Sequence, residues 1–176
     1  MLDDRDTIVT NLGECRVDSP LSVRRFIGED ERVIVDVEYG RVEDSFKERG
    51  RASSFENAGP RRKIFFDPAA SKAAIVTCGG LCPGLNNVIR ALVMELYYQY
   101  GVKTILGVRY GYEGLIPSYG HGFLDLHPDT VDEIHAKGGT MLGSSRGNQN
   151  VPAMVDTLEE NGVSMLFTIG GDGTLR

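Results

Sequence analysis

The second half of this sequence predicts an α/β fold, a parallel sheet with helices on both faces, and three observations predict it. Short aliphatic and β-branched runs recur at 73–77, 103–109 and 163–169. Between them lie segments whose apolar residues return every three to four positions, the spacing of one helix face. Each run ends in a loop that carries glycine. Strands alternating with helices make right-handed crossovers and so a parallel sheet covered on both sides. Ligands of such sheets sit beyond the carboxyl ends of the strands, where all three glycine loops fall.

Size and composition set the outer bounds. A chain of 176 residues makes one ordinary domain, or one and a small appendage. With 41% hydrophobic and 25% charged residues it is composed like a soluble protein with a real core. The net charge of −6 offers no basic stripe for phosphates of a nucleic acid, so no nucleic-acid partner is expected. The apolar runs are too short to span a bilayer. The opening residues, Met1 to Asp6, are charged and hold no signal-peptide core, so no membrane and a cytoplasmic location are expected. Three cysteines (Cys15, Cys78 and Cys82) fit a reducing compartment better than a disulfide framework. Cys78 and Cys82 with only three histidines in the chain do not make a closed zinc site, and they read as small loop residues.

Residues 1–70 form an irregular N-terminal extension, and 71–176 the regular domain. Within the extension, 32–38 alternates like a strand, and 7–10 reads as a segment that pairs with another. From Gly40 to Pro60 charges and small residues dominate, and that stretch reads as an exposed loop. Residues 61–68 place Ile64, Phe65 and Phe66 between a basic start and a turn, which reads as a connector packed on the main domain. The adjacent Arg61, Arg62 and Lys63 read as a solvated charge cluster more readily than as a phosphate site.

In the domain the first strand, 73–77, runs into Cys78-Gly-Gly-Leu-Cys-Pro-Gly-Leu-Asn86 and then into a helix. Leu85, Val88, Ile89, Leu92, Val93 and Leu96 supply its apolar face, and Gly101 its stop. Strand 103–109 opens into a glycine-rich loop at 110–117. Thr130-Val-Asp-Glu133 has capping-box spacing, so a short helix is predicted to begin at Val131 and Ile134. Asn150 caps and Pro152 opens the next helix, with Met154, Val155 and Leu158 inward. Gly162 ends it, and the third buried strand, 163–169, leads into Gly170-Gly-Asp-Gly-Thr174.

The loops bring chemistry for an anion. Glycines let the backbone come close, and the first amides of a helix have no partner inside it. In the last loop Asp172 is one carboxylate beside that backbone, as Mg²⁺ beside phosphates requires, and it reads equally as an Asx-type turn residue. Arg146 is a planar cation suited to transferring phosphates, or an ordinary surface arginine. Tyr110 and Tyr112 are placed to flank a base or ribose, or simply to pack.

Four blocks in order, 78–86 with Val88-Ile-Arg90, then Gly111-Tyr-Glu-Gly-Leu115, then 138–146, then Ile169-Gly-Gly-Asp-Gly-Thr174, resemble 6-phosphofructokinase. The resemblance runs from about Ala73 to Arg176, and the extension is similar to that of the longer ATP-dependent branch of plants, protists and some bacteria. It implies a Rossmann-like N-terminal lobe. It implies a reaction in which the γ-phosphoryl group of MgATP passes to the C1 hydroxyl of fructose 6-phosphate in glycolysis. By match, Gly80 would meet the nucleotide phosphates through its backbone, Tyr112 would lie beside the nucleotide, and Gly147 would line its site. Arg146 would bridge the donor and the transferred phosphate. Gly171, Asp172, Gly173 and Thr174 would bind ATP, with Asp172 holding Mg²⁺. Gly173 stands where pyrophosphate-using relatives typically have a second aspartate, so the resemblance favours ATP.

The same resemblance places the proton-abstracting aspartate and the sugar-phosphate arginines and histidine beyond Arg176. The chain thus reads as an N-terminal portion, inactive by itself, of an allosteric enzyme that is a homodimer or homotetramer when whole. Three other readings stay open. One is another kinase with Gly-Gly-Asp-Gly-Thr, such as an NAD or diacylglycerol kinase, against which the first loop speaks. The others are a non-catalytic nucleotide-binding subunit and a pyrophosphate-dependent phosphofructokinase.

Overall fold

The computed structural model describes residues 7–175; the charged Met1 to Asp6 segment and Arg176 lie outside them. The chain divides into two units, Met1–Phe65 and Phe66–Arg176.

In the first unit β1 (Val17–Asp18), β2 (Arg32–Ile34), α1 (Tyr39–Arg49), β3 (Ser54–Glu56) and β4 (Lys63–Ile64) follow one another. β1 pairs antiparallel with β4, and β2 with β3 in the register Val33 opposite Phe55. Four expectations are corrected here. The strand predicted over 32–38 ends at Ile34, and residues 7–10 form no strand. The loop predicted over 40–60 holds α1 and β3. The connector at 61–68 contributes β4, with Lys63 paired to Asp18 at 2.8 Å. Helix α1 buries no residue. It is supported instead by neighbouring charges, Arg41 to Glu38 at 3.0 Å and Lys47 to Glu43 at 3.2 Å. Its charge-rich composition therefore suits an exposed helix as well as a loop. Gly50 ends it in the left-handed conformation (φ 71°), donating its N–H to the Phe46 carbonyl at 2.9 Å.

In the second unit β5 (Lys72–Thr77), α2 (Leu85–Met94), β6 (Thr104–Val108), β7 (Phe123–Asp125), α3 (Pro128–Val131), α4 (Val151–Glu160) and β8 (Met165–Ile169) build one sheet of order β7-β6-β5-β8. β6 and β8 flank β5 in parallel, Ile75 lying opposite Gly107 on one side and Phe167 on the other. The three parallel strands stand where the sequence predicts them. β7 is an addition: it runs antiparallel to β6, so the sheet is mixed rather than parallel throughout. Its three residues are too few to show a period.

Both faces of the sheet are covered. Ala73 and Ile75 point to one side, against Ile89, Val93 and Leu96. Ala74 and Val76 point to the other, with Val108, Leu115 and, from α4, Met154 and Leu158. Val88 is 44% exposed, not inward, because it lies about 100° around the helix from Ile89. Val155 is likewise exposed. Thr157 takes the buried place, its hydroxyl donating to the Ala153 carbonyl at 3.0 Å. Strand β8 is half-buried along its length, as its place at the sheet edge dictates, rather than buried.

Helix ends depart from expectation in three places. α2 continues as a π-helix, Glu95–Tyr100, before Gly101 (φ 80°) stops it. α3 starts before the predicted box: His127 caps it, its ring nitrogen accepting from the Asp129 N–H, while Thr130 Oγ accepts the His127 N–H at 2.9 Å. Thr130 is thus the third residue of the helix and not its cap. The loop predicted at 110–117 is largely 3-10 helix, Gly111–Leu115 followed by Pro117–Tyr119. Asn150 caps α4 as predicted, accepting the Ala153 N–H at 3.0 Å. No helix among the described residues is long and apolar enough to cross a membrane.

Candidate functional site

Parallel strands β5, β6 and β8 deliver their carboxyl ends to the same side of the sheet, and the loops that follow enclose a cavity of about 360 Å³. Cys78, Gly79 and Gly80 come from the loop after β5, and Tyr112 from the turn after β6. Ser145, Arg146, Gly147 and Asn148 come from the loop before α4, and Gly171, Gly173 and Thr174 from the turn after β8. The structure thus brings together Gly80, Tyr112, Arg146, Gly147, Gly171, Gly173 and Thr174. Asp172 stands on the same turn, exposed, outside the lining. Only the first part of the 78–86 loop contributes. The opening of α2, entered through Gly84 without a side-chain cap, does not line the cavity.

The Arg146 loop is fastened at successive residues. Buried Asn86 accepts the Met141 N–H at 2.8 Å and donates to the Lys137 carbonyl at 3.0 Å. Tyr110 N–H donates to the Leu142 carbonyl at 2.8 Å. Thr77, at the end of β5, donates its hydroxyl to the Gly143 carbonyl at 2.7 Å. Ser144 donates to the Gly79 carbonyl at 2.7 Å, and the Gly79 N–H donates back to the Ser145 carbonyl at 3.0 Å. Gly111 passes close beneath: in its left-handed conformation (φ 63°), a side chain would stand 2.5 Å from Ser145 Oγ. These bonds stop at Ser145. Arg146 makes no hydrogen bond or ion pair among the described residues, and its guanidinium ends beside Gly80, 3.4 Å from where a β-carbon would be.

The formal charge of the cavity lining is one-sided. The amides of Gly80, Gly147, Gly171 and Gly173 have no protein acceptor among the described residues, whereas that of Gly79 is used. Four unengaged amides and one cation therefore belong to a lining that holds no carboxylate or imidazole, beside the Ser145 and Thr174 hydroxyls and the Asn148 side-chain amide. Tyr112 turns its hydroxyl to the Thr174 carbonyl at 2.8 Å, tying two loops together. Burial raises the Tyr112 phenol above its ordinary value, and the neighbouring Cys78 adds to the effect. Burial also pushes the Cys78 thiol up, partly offset by a hydrogen bond from the Tyr112 backbone. Among the described residues no group of three His, Cys, Asp or Glu side chains could hold a metal. Tyr110, a candidate to flank a base or ribose, lies outside the lining, and Asn86 and Thr77 escape sequence reasoning as parts of this site. Their role is to hold a loop some 60 positions away, which no local pattern encodes.

A family model described as Phosphofructokinase matches residues 72–176. An ATP-dependent 6-phosphofructokinase of Amycolatopsis methanolica is 50% identical over 179 residues, which cover 97% of this chain and 39% of that protein. One from Borreliella burgdorferi is 46% identical over 178 residues, covering 97% and 39%. One from Entamoeba histolytica is 56% identical over 121 residues, covering 69% and 28%. The chain spans about two fifths of the length of the first two relatives. Among solved structures, Pichia pastoris phosphofructokinase in the T-state superposes with a TM-score of 0.52 at 24% identity, over 72% of this chain and 14% of that one. The pyrophosphate-dependent phosphofructokinase of Marinobacter aquaeolei gives 0.51 at 16% identity, over 59% and 27%. At these identities the two structures speak for the fold alone.

Proposed function

Because the chain belongs to the phosphofructokinase family, we propose that its glycine-loop cavity holds the phosphates of ATP for transfer to the C1 hydroxyl of fructose 6-phosphate. The observation that carries this reading is the convergence of Arg146 with four unengaged glycine amides on one opening. Phosphoryl transfer asks the protein for positioning and charge neutralisation more than for covalent chemistry. In the transfer the sugar oxygen bonds to the γ-phosphorus, and the bond from that phosphorus to the bridging oxygen breaks. ADP departs with the electron pair.

Gly80, Gly147, Gly171 and Gly173 would each donate an amide N–H to phosphate oxygens. Arg146, its position set through Ser145 and Gly79, would spread a planar cation over the donor and the moving group. The sugar's proton needs an acceptor that this lining does not supply, so that part of the reaction belongs to residues outside the cavity. Asp172 suits Mg²⁺: it is an exposed carboxylate with no partner among the described residues, one position from two cavity glycines. Mg²⁺ takes one or two carboxylates and completes its shell with phosphates and water, and bound there it would neutralise phosphate charge. Gly173 supports a nucleotide over pyrophosphate as donor, since nothing lies within 4 Å of where its β-carbon would be. The curated relatives are likewise named ATP-dependent.

Calorimetric titration of the chain with MgATP tests this. Saturable binding is expected, weakened about 10- to 100-fold by Arg146→Ala, the loss of one charge-assisted contact. Absence of binding, or equal affinity in the variant, would overturn the reading.

A further inference from the structure

The unit Met1–Phe65 has a cavity of its own, of about 770 Å³, and the charges around it do not cancel. Four cations line it, Arg24, Arg25, Arg62 and Lys63, against the single carboxylate of Glu29. Three ion pairs account for most of the charge nearby. Arg25 lies 2.6 Å from Glu31, Lys63 2.8 Å from Asp18, and Arg61 3.6 Å from Glu29. The Arg25 pair is well formed: a Gly28 amide bond first and the Arg25 guanidinium next hold the Glu31 carboxyl below its ordinary range. Two guanidinium groups are left over. Arg62 lies over the Phe26 ring at 5.0 Å from its centroid. Arg24 has no hydrogen bond, ion pair or ring contact among the described residues. Among the described residues these two positive charges on one opening are uncompensated, which is unexpected in a chain whose net charge is −6.

Guanidinium forks match the oxygens of a phosphate, and two of them balance the dianion of a phosphate monoester near neutral pH. The cavity is much larger than a bare phosphate needs, and Phe26 and Ile27 give it an apolar wall. We propose that this cavity is a second binding site, for a small organic phosphate monoester. Arg24 and Arg62 hold its phosphate, and Phe26 covers its organic body. It shares no lining residue with the glycine-loop cavity. It does not depend on the function assigned there.

The test is an amide-resolved NMR titration of the 176-residue chain with phenyl phosphate at about pH 7.5, where the monoester is a dianion. Saturable shifts are expected at Gly13 and Gly28, which border the cavity. The Arg24→Ala, Arg62→Ala double variant should bind about 100-fold more weakly, roughly tenfold per guanidinium. Both side chains are exposed, and unchanged amide dispersion elsewhere would certify its fold. Glu29→Gln removes the one opposing carboxylate and should tighten binding severalfold. Benzoate, with one charge, should bind at least about tenfold more weakly than the monoester. Shifts confined to Gly80 and Gly147, a double variant as tight as the parent, no gain from Glu29→Gln, or benzoate equal to phenyl phosphate would each overturn the proposal.

Discussion

Arg146 and Asp172 are charged side chains on the glycine loops that have no partner among the described residues. A group left unpaired at the mouth of a donor-lined cavity is available to a ligand, and each implies a separate outcome. Asp172→Ala should weaken ATP binding when Mg²⁺ is present and leave binding in excess chelator unchanged. Equal affinities with metal would count against the metal role. Cys78 offers a pH-dependent readout. Burial raises its thiol above the ordinary value, so less of it is thiolate near neutral pH than for an ordinary thiol, whereas Cys15 and Cys82 are exposed to reagent. Mass-spectrometric alkylation should therefore label Cys15 and Cys82 first, with Cys78 following as the pH rises. A thiol whose folded value exceeds its unfolded value stabilises the fold fully below the unfolded value. That contribution is lost as the pH climbs through the folded value, so stability should fall on the alkaline side. Simultaneous labelling of all three cysteines at neutral pH would contradict this. At this scale the sequence was informative about kind and silent about state. It marked Gly80, Arg146 and Asp172, but could not say which of two adjacent amides, Gly79 or Gly80, remains unengaged.

At the scale of elements, the loop of residues 138–147 behaves as part of the sheet's rim. Asn86 at the start of α2, Thr77 at the end of β5 and Gly79 in the first turn hold it, and Arg146 begins where those bonds stop. Asn86→Ala would leave the Met141 N–H and the Lys137 carbonyl without partners. A cost of about 1–3 kcal/mol in unfolding free energy is expected, measured by denaturant titration. The same variant should weaken ATP binding while Arg146 is intact. A variant that loses stability but binds ATP as tightly as the parent would show that the clamp does not place Arg146. The periodicity of α2 and the Asn150 cap were legible because both depend on residues within one turn. Helix α1 was not, since its support is charge pairs that resemble loop composition. β7 was not, since its pairing with β6 lies outside its own three residues.

At the scale of the molecule, three parallel strands explain why residues as distant as Gly80 and Thr174 meet at one opening. The lining contains nothing able to take the proton of a sugar hydroxyl. This chain with MgATP and fructose 6-phosphate should therefore give no sustained fructose 1,6-bisphosphate in a coupled assay; steady turnover would place a competent base within it. The sequence by itself determined the parallel strands, the family and the residue types of the glycine loops, because apolar period and glycine loops are local and strongly patterned. Only the tertiary structure decided which amides stay open, what fastens the arginine's loop, and where Arg24 and Arg62 leave charge uncancelled. Hydrogen bonds and ion pairs are settled by distance in space, and the residues that make them are set apart in the chain.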